Sequence, residues 1–379
     1  MSLAHFSFPT AITFGAGARH EVAAHLLGVG IQRPLVVTDQ GVAELAQTRV
    51  FVDGLRRQGL EVAVFAGVQG NPVTSQVDAG VAAFRAHRAD ALIGLGGGAA
   101  LDVAKAVGLL SAHEGNILDY AWDHPRARSL HAPLPHLVAL PTTSGTGSEV
   151  GRSAVISDEH THVKKIIFAP QLLAQAVFAD PELTLDLPPG LTAATGIDAL
   201  THNIESYLSP VYHPMCDGIA LEGARLSARA LPRAVANGRD LAARADMMMS
   251  SLMGAVAFQK DLGAVHACAH ALSTVLDLHH GLANGVMLDH VMRFNAEAAP
   301  EKMAELARVC GAGDTAADFV QWLTALKRQI GLPARLVEVG LKPGQIAAVV
   351  DVALTDSCHK TNPRPCTRED FERLLLAAM

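Results

Sequence analysis

The sequence predicts an α/β domain over residues 1–187 followed by an all-helical domain over residues 188–379. Three observations lead there. Short β-branched runs alternate with helix-like segments through the first half, the pattern of a parallel, doubly wound sheet. Strand signals stop after Pro188-Pro189-Gly190, where Ala- and Leu-rich segments of helical period take over. The chain has 379 residues, half of them hydrophobic, which exceeds the usual size of one domain and suffices for more than one core.

The strand candidates are LVVTD (35–39), VAVF (62–65), ALIGL (91–95), HLVAL (136–140) and AVFAD (176–180). Continuous apolar runs of this length suit strands buried on both faces. Helical segments are expected over 41–59 and 100–112 in the first half. After a boundary within 183–190 they are expected over 191–208, 215–237 and 241–258. No internal repeat, low-complexity tract or long linker interrupts the chain.

Composition narrows the function. A formal net charge of −7 and scattered basic residues leave no broad basic face for nucleic acid. The five cysteines form no C-x-x-C pair, and a sparse, odd set suits a reducing compartment. The opening MSLAHFSFP lacks the basic and apolar regions of a signal peptide, and apolar stretches break well short of a membrane span. A soluble, cytoplasmic protein is expected. With 18 histidines, chance neighbours are common, so spacing must carry any metal argument.

Two loops point to a nucleotide. Gly94-Leu95-Gly96-Gly97-Gly98-Ala99 follows one strand candidate and opens a helix. Glycines let backbone approach a pyrophosphate, and free amides at a helix start attract its charge. Alone, the motif reads equally as a tight strand-to-helix turn. Pro141 to Glu149 (PTTSGTGSE) follows the next strand with many small donors, and alone reads as a flexible loop. Two such loops after two parallel strands face one carboxyl edge of a sheet, where ligands bind in open α/β folds. Asp39, at a strand end, suits the adenosine ribose hydroxyls and would repel the extra phosphate of NADP. It equally suits the N-cap of the helix that follows.

The helical half carries metal-type residues. Asp198 and His202 are four apart in a predicted helix and share a face, as do His266 and His270. His279 and His280 lie just beyond. Each piece alone is ambiguous. Together they offer an N/O donor set that suits Fe(II), Zn(II) or Mn(II).

These stretches carry a resemblance. GLGGGAALDVAKAVGLL, ALPTTSGTGSEV, DPELTLDLPPGLTAATGIDALTHNIESYLSP, the VHACAHAL to LHHGLANGVMLDHVMRFN region and TNPRP are together specific. The chain resembles the iron-containing (group III) alcohol dehydrogenases over nearly its whole length. The resemblance implies an α/β dinucleotide-binding domain and an all-α metal-binding domain, a layout shared with dehydroquinate synthases, with chemistry in the cleft between the two. It implies the metal ligands Asp198, His202, His266 and His280. His270 matches a non-ligand histidine near substrate and nicotinamide. Asp39 matches the acidic residue associated with NAD preference. Asn71, Gly97, Gly98, Ala99, Asp102, Thr142, Thr143, Thr146 and Lys164 match cofactor contacts. The implied cofactors are NAD and Fe(II), with Zn(II) possible, and the implied assembly is a homodimer or larger.

Two departures stand out. Ala99 replaces the usual Ser of the glycine turn, which removes a hydroxyl contact and leaves the amides. Lys260 stands where many members have a neutral residue. Within the family, DGIALEG, AFQK and CHKTNP look most similar to 4-hydroxybutyrate dehydrogenase-like members. The expected reaction is therefore hydride transfer between NAD and a small primary alcohol or ω-hydroxy acid. Lys260 would meet the substrate carboxylate, helped by His359, Lys360 and Arg364, unless it snorkels to solvent. A simple-alcohol reductase and a metal-free branch similar to maleylacetate reductases are the alternatives, but the latter lacks the full ligand set. A dehydroquinate synthase-like lyase would need Lys and Arg clusters that the helical half lacks.

Overall fold

The computed structural model describes residues 6–8, 10–161 and 163–379. Of the opening stretch read for a signal peptide, residues 1–5 and 9 lie outside the described residues. The chain forms two compact units. One comprises Pro9–Thr143 and Gly147–Thr184, and the other comprises Ser144–Thr146 and Leu185–Met379 together with Phe6, Ser7 and Phe8.

The first unit is built on a six-stranded sheet in the order β1-β8-β5-β4-β2-β3. Its strands are β1 (Ala11–Phe14), β2 (Pro34–Asp39), β3 (Ala63–Val68), β4 (Ala91–Gly96), β5 (His136–Pro141) and β8 (Ala176–Ala179). Every neighbouring pair is parallel. The inner strands β2, β4, β5 and β8 are buried almost throughout, which explains their unbroken apolar runs. Connecting helices are α1 (Val22–Gly28), α2 (Gln40–Glu44), α3 (Ala46–Arg57), α4 (Thr74–His87) and α5 (Gly98–Ala112). The helix expected over 41–59 is two helices, because Leu45 is extended at φ −66° and ψ 138°. An antiparallel hairpin, β6 (Ser153–Ser157) and β7 (Lys164–Phe168), stands apart from the main sheet.

The second unit is helical, with α6 (Pro189–Leu208), α7 (Pro214–Ala236), α8 (Leu241–Ala257), α9 (Ala264–Leu276), α10 (His280–Asn295), α11 (Pro300–Cys310), α12 (Ala316–Gln329), α13 (Ile346–Thr355) and α14 (Arg368–Ala377). Helix α6 is its axis and is buried nearly all round, with Ile197, Leu200 and Ile204 in the core beside Val265, Leu272, Val286 and Met287. Close packing on α6 needs glycine at Gly281, where a Cβ would lie 2.1 Å from the Ala194 carbonyl oxygen. Among the described residues, no helix is long and apolar enough to cross a membrane.

Candidate functional site

Helix α6 places Asp198, His202 and Glu205 on one face, and all three are buried. Helix α9 adds His266, and the first turn of α10 adds His280. One ligand atom from each of Asp198, His202, His266 and His280 lies within 4.8 Å of the others. From Asp198 Oδ1 the Nε2 atoms of His202, His266 and His280 are 4.0, 3.7 and 3.5 Å away. Ligand atoms of a tetrahedral ion with bonds near 2.1 Å lie about 3.4 Å apart. The four groups thus fit a first-row divalent ion with little contraction, and one carboxylate with three imidazoles is a borderline donor set.

Glu205 orients the set from behind. Its Oε2 lies 2.6 Å from His266 Nδ1, and its Oε1 accepts from the Val265 amide at 2.7 Å. A carboxylate on the outer ring nitrogen directs the other nitrogen inward. Glycine at Gly263 makes room, since a Cβ there would lie 2.6 Å from Glu205 Oε1. Sequence reasoning missed Glu205, though its position three after His202 places it on the same helical face.

The electrostatics are those of a tightly coupled cluster. Burial opposes ionisation of Asp198, but His202, His280 and His266 outweigh it and hold the carboxyl well below its usual range. Burial pushes His202 down to about 4 despite the attraction of Asp198. Burial also opposes the charged form of His266, yet the carboxylates of Asp198 and Glu205 raise its pKa to about 9.

His270 is not in this ligand group. Its ring stacks on His280 at 5.1 Å, and its Nδ1 lies 2.7 Å from Asp356 Oδ2. Although burial opposes it, His270 and the Cys358 amide hold the Asp356 carboxyl low. Asp356 was invisible to the sequence reading, because it lies 86 residues beyond its partner.

The structure gives Lys260 an acidic partner that the sequence does not announce. Its side chain is 0% exposed and its ammonium pairs with Asp217 of α7, with the Tyr207 carbonyl at 3.4 Å. The charge does not snorkel to solvent, because a buried ammonium takes the nearest carboxylate. Its expected helpers are also engaged or turned elsewhere. Arg364 binds Glu297 and the Phe294 carbonyl and lies over the Phe294 ring, His359 Nε2 lies 3.3 Å from the Leu354 carbonyl oxygen, and Lys360 is exposed.

In the α/β unit, the residues matched to cofactor contacts line the carboxyl ends of neighbouring strands. Asp39 ends β2, Asn71 follows β3, Gly97, Gly98 and Ala99 follow β4, and Thr142 and Thr143 follow β5. Gly96 turns at φ 152°, and a Cβ there would lie 2.6 Å from the Ala100 Cβ. The Gly97 position abuts Thr143, with a Cβ 3.3 Å from its Cγ2, so the two loops are adjacent. Asp39 also caps α2, accepting from the Val42 amide at 2.8 Å. Asp102, in α5, accepts from Ser148 Oγ at 2.6 Å and the Val155 amide at 3.0 Å. Lys164, at the start of β7, lies near enough to Asp102 to act on its charge. Thr146 groups with the helical unit. Buried Lys105 donates to the carbonyls of Ser148, Gly151 and Ser153 and so fixes this loop to α5.

Comparison with known proteins bears on both units. The iron-containing alcohol dehydrogenase family model matches residues 9–181, and its C-terminal counterpart matches residues 192–379. The chain is 38% identical to the 4-hydroxybutyrate dehydrogenase of Cupriavidus necator and 36% identical to the NAD-dependent methanol dehydrogenase of Bacillus methanolicus, with all of each chain covered. It superposes on a 1,3-propanediol oxidoreductase crystal structure with a TM-score of 0.95 at 36% identity, covering 99% of this chain and 100% of that one. With both units matched in sequence and fold, the chain belongs to the iron-containing alcohol dehydrogenases, oxidoreductases that act on alcohols.

Proposed function

We propose that this enzyme transfers hydride between NAD and a short primary alcohol, with ω-hydroxy acids such as 4-hydroxybutyrate among its substrates, and that Asp198, His202, His266 and His280 hold its divalent metal. The observation that carries the reading is the convergence of these four groups, with Glu205 behind His266. When bound, the ion supplies a Lewis acid for the alcohol oxygen and NAD supplies the hydride acceptor. The protein's own part is positional. Glu205 holds the His266 ring, and Asp356 fixes the proton of His270 on Nδ1. His270 Nε2 is then available to pass the alcohol proton toward solvent.

The carboxyl ends of β2 to β5 offer the NAD site, through Asp39, Asn71, Gly97, Gly98, Ala99, Thr142 and Thr143, with Asp102, Thr146 and Lys164 completing it. The three relatives named above share one feature in their names, a short substrate ending in a primary alcohol. That favours a small primary carbinol over a charge-selective site, since Lys260 has its own partner. Cytoplasmic location and a homodimer or larger assembly belong to the same reading and rest on the family resemblance. The test is NADH formation from methanol, 1-butanol, 1,3-propanediol and 4-hydroxybutyrate, with NAD or NADP, after loading with Fe(II) or Zn(II). Turnover of none of them with NAD would refute the proposal.

A further inference from the structure

Helix α4 does not supply its own cap. Its N-cap position is Val73, whose side chain carries no polar atom, so the amides of the first turn need an acceptor from elsewhere. That acceptor is Glu159, in the turn of the β6–β7 hairpin and 84 residues from Ser75 along the chain. Glu159 Oε2 accepts from the Ser75 amide at 3.2 Å and from Thr74 Oγ1 at 3.0 Å, and its Oε1 accepts from Ser75 Oγ at 2.5 Å. The positive end of the helix favours the charge of the carboxylate placed there. The hydroxyls of Ser75 and Thr74 hold the Glu159 carboxyl below its usual range.

A second contact joins the same two segments. The Ser157 amide donates to the Pro72 carbonyl at 2.7 Å, and Val73 forms a parallel bridge with Ser157. Ser157 in turn stands opposite Lys164 in the hairpin register. Asn71 and Lys164, both matched to cofactor contacts, are thus joined by short backbone links. Asn71 adjoins Pro72, Pro72 binds Ser157, and Ser157 pairs with Lys164. The bond from Ser157 to Pro72 fixes this spacing at one end. Glu159 ties the first turn of α4, on the far side of Pro72 from Asn71, to the same hairpin. Two points of attachment prevent the pivoting that one would allow.

We propose that Glu159 is a positioning residue of the NAD site, which pins the loop carrying Asn71 to the hairpin carrying Lys164. The inference rests on the NAD site proposed above and deepens it. Glu159 acts through Asn71. A loop already held in place loses less conformational freedom when the dinucleotide binds, so affinity is higher.

The test is the NAD Kd of the full chain by isothermal titration calorimetry, in wild type, Glu159→Ala, Asn71→Ala and the double variant, with melting curves to verify folding. Glu159→Ala should raise the Kd about three- to tenfold, the scale of one lost helix cap. Glu159→Gln keeps an acceptor for Ser75 and Thr74 but not the charge, and should lose less than Glu159→Ala. Because Glu159 acts through Asn71, the double variant should bind little worse than Asn71→Ala alone. If Asn71→Ala weakens binding, an unchanged Kd in Glu159→Ala or fully additive losses would overturn the role of Glu159 and leave the NAD site standing. An unchanged Kd in Asn71→Ala would remove Asn71 from the NAD site and overturn the inference with it.

Discussion

The Lys260–Asp217 pair makes an asymmetric prediction. Lys260 is 0% exposed, whereas the Asp217 side chain is 30% exposed. Removing the negative charge in Asp217→Asn leaves a buried ammonium with neutral acceptors only, the Asn oxygen and the Tyr207 carbonyl at 3.4 Å. Lys302 lies close enough for Lys260 to lower its pKa, behind the larger effect of burial, so the two cations would then repel unrelieved. Breaking a buried pair from that side costs about 3–5 kcal/mol. Removing the ammonium in Lys260→Met leaves a carboxylate that water reaches, and the apolar chain fills the same space. That change should cost about 1 kcal/mol or less. At about 2–4 °C per kcal/mol for a unit of this size, Asp217→Asn should melt roughly 6–20 °C below wild type and Lys260→Met within about 4 °C of it. The double variant should recover most of the loss. In steady-state assays, Lys260→Met should change kcat/KM for 4-hydroxybutyrate and for 1-butanol by the same factor, because the amine meets neither substrate. A selective tenfold loss on the hydroxy acid would refute this account of Lys260, as would equal melting of the two single variants.

Other residues make sharper tests of the two units. Burial pushes the Glu149 carboxyl up from 4.5 to about 7, so the folded chain binds the extra proton and its stability falls as pH rises between those values. Glu149→Gln should remove that slope and gain up to about 3 kcal/mol at pH 8, from 2.5 pKa units at about 1.36 kcal/mol each; parallel pH–melting curves for variant and wild type would reject it. Asp39→Asn keeps an acceptor for the Val42 amide but loses the charge, so the NADP to NAD ratio of kcat/KM should rise. An unchanged ratio would leave Asp39 as a helix cap alone. Glu205→Gln should weaken metal binding by roughly 10–100-fold, read by chelator competition, while an unaltered affinity would remove Glu205 from the centre.

Much of the fold was legible because burial writes itself into apolar runs. Strands β2, β4, β5 and β8 are covered on both faces and appear as continuous hydrophobic stretches. Strand β1 escaped because all four of its residues are exposed, and the β6–β7 hairpin because serines and lysines break its runs. Helix periodicity does not register the single extended residue, Leu45, that splits α2 from α3. At the site, Asp198 and His202 were legible because both sit on one helix. Glu205 and Asp356 were not, since polar residues acquire roles from neighbours that folding brings up from distant segments. Lys260 shows the converse, because its partner Asp217 is 43 residues away and no local pattern joins them.

The central claim, a metal held by Asp198, His202, His266 and His280 and needed for turnover, is tested most directly by one paired measurement. Wild type and His266→Ala are loaded with Fe(II) or Zn(II), desalted, and analysed for bound metal and for NADH formation from 1,3-propanediol, with melting curves to verify folding. The account predicts stoichiometric metal and turnover in the wild type, and loss of most metal and nearly all turnover in a folded His266→Ala. Full metal content in His266→Ala, or equal turnover with and without metal in the wild type, would contradict it.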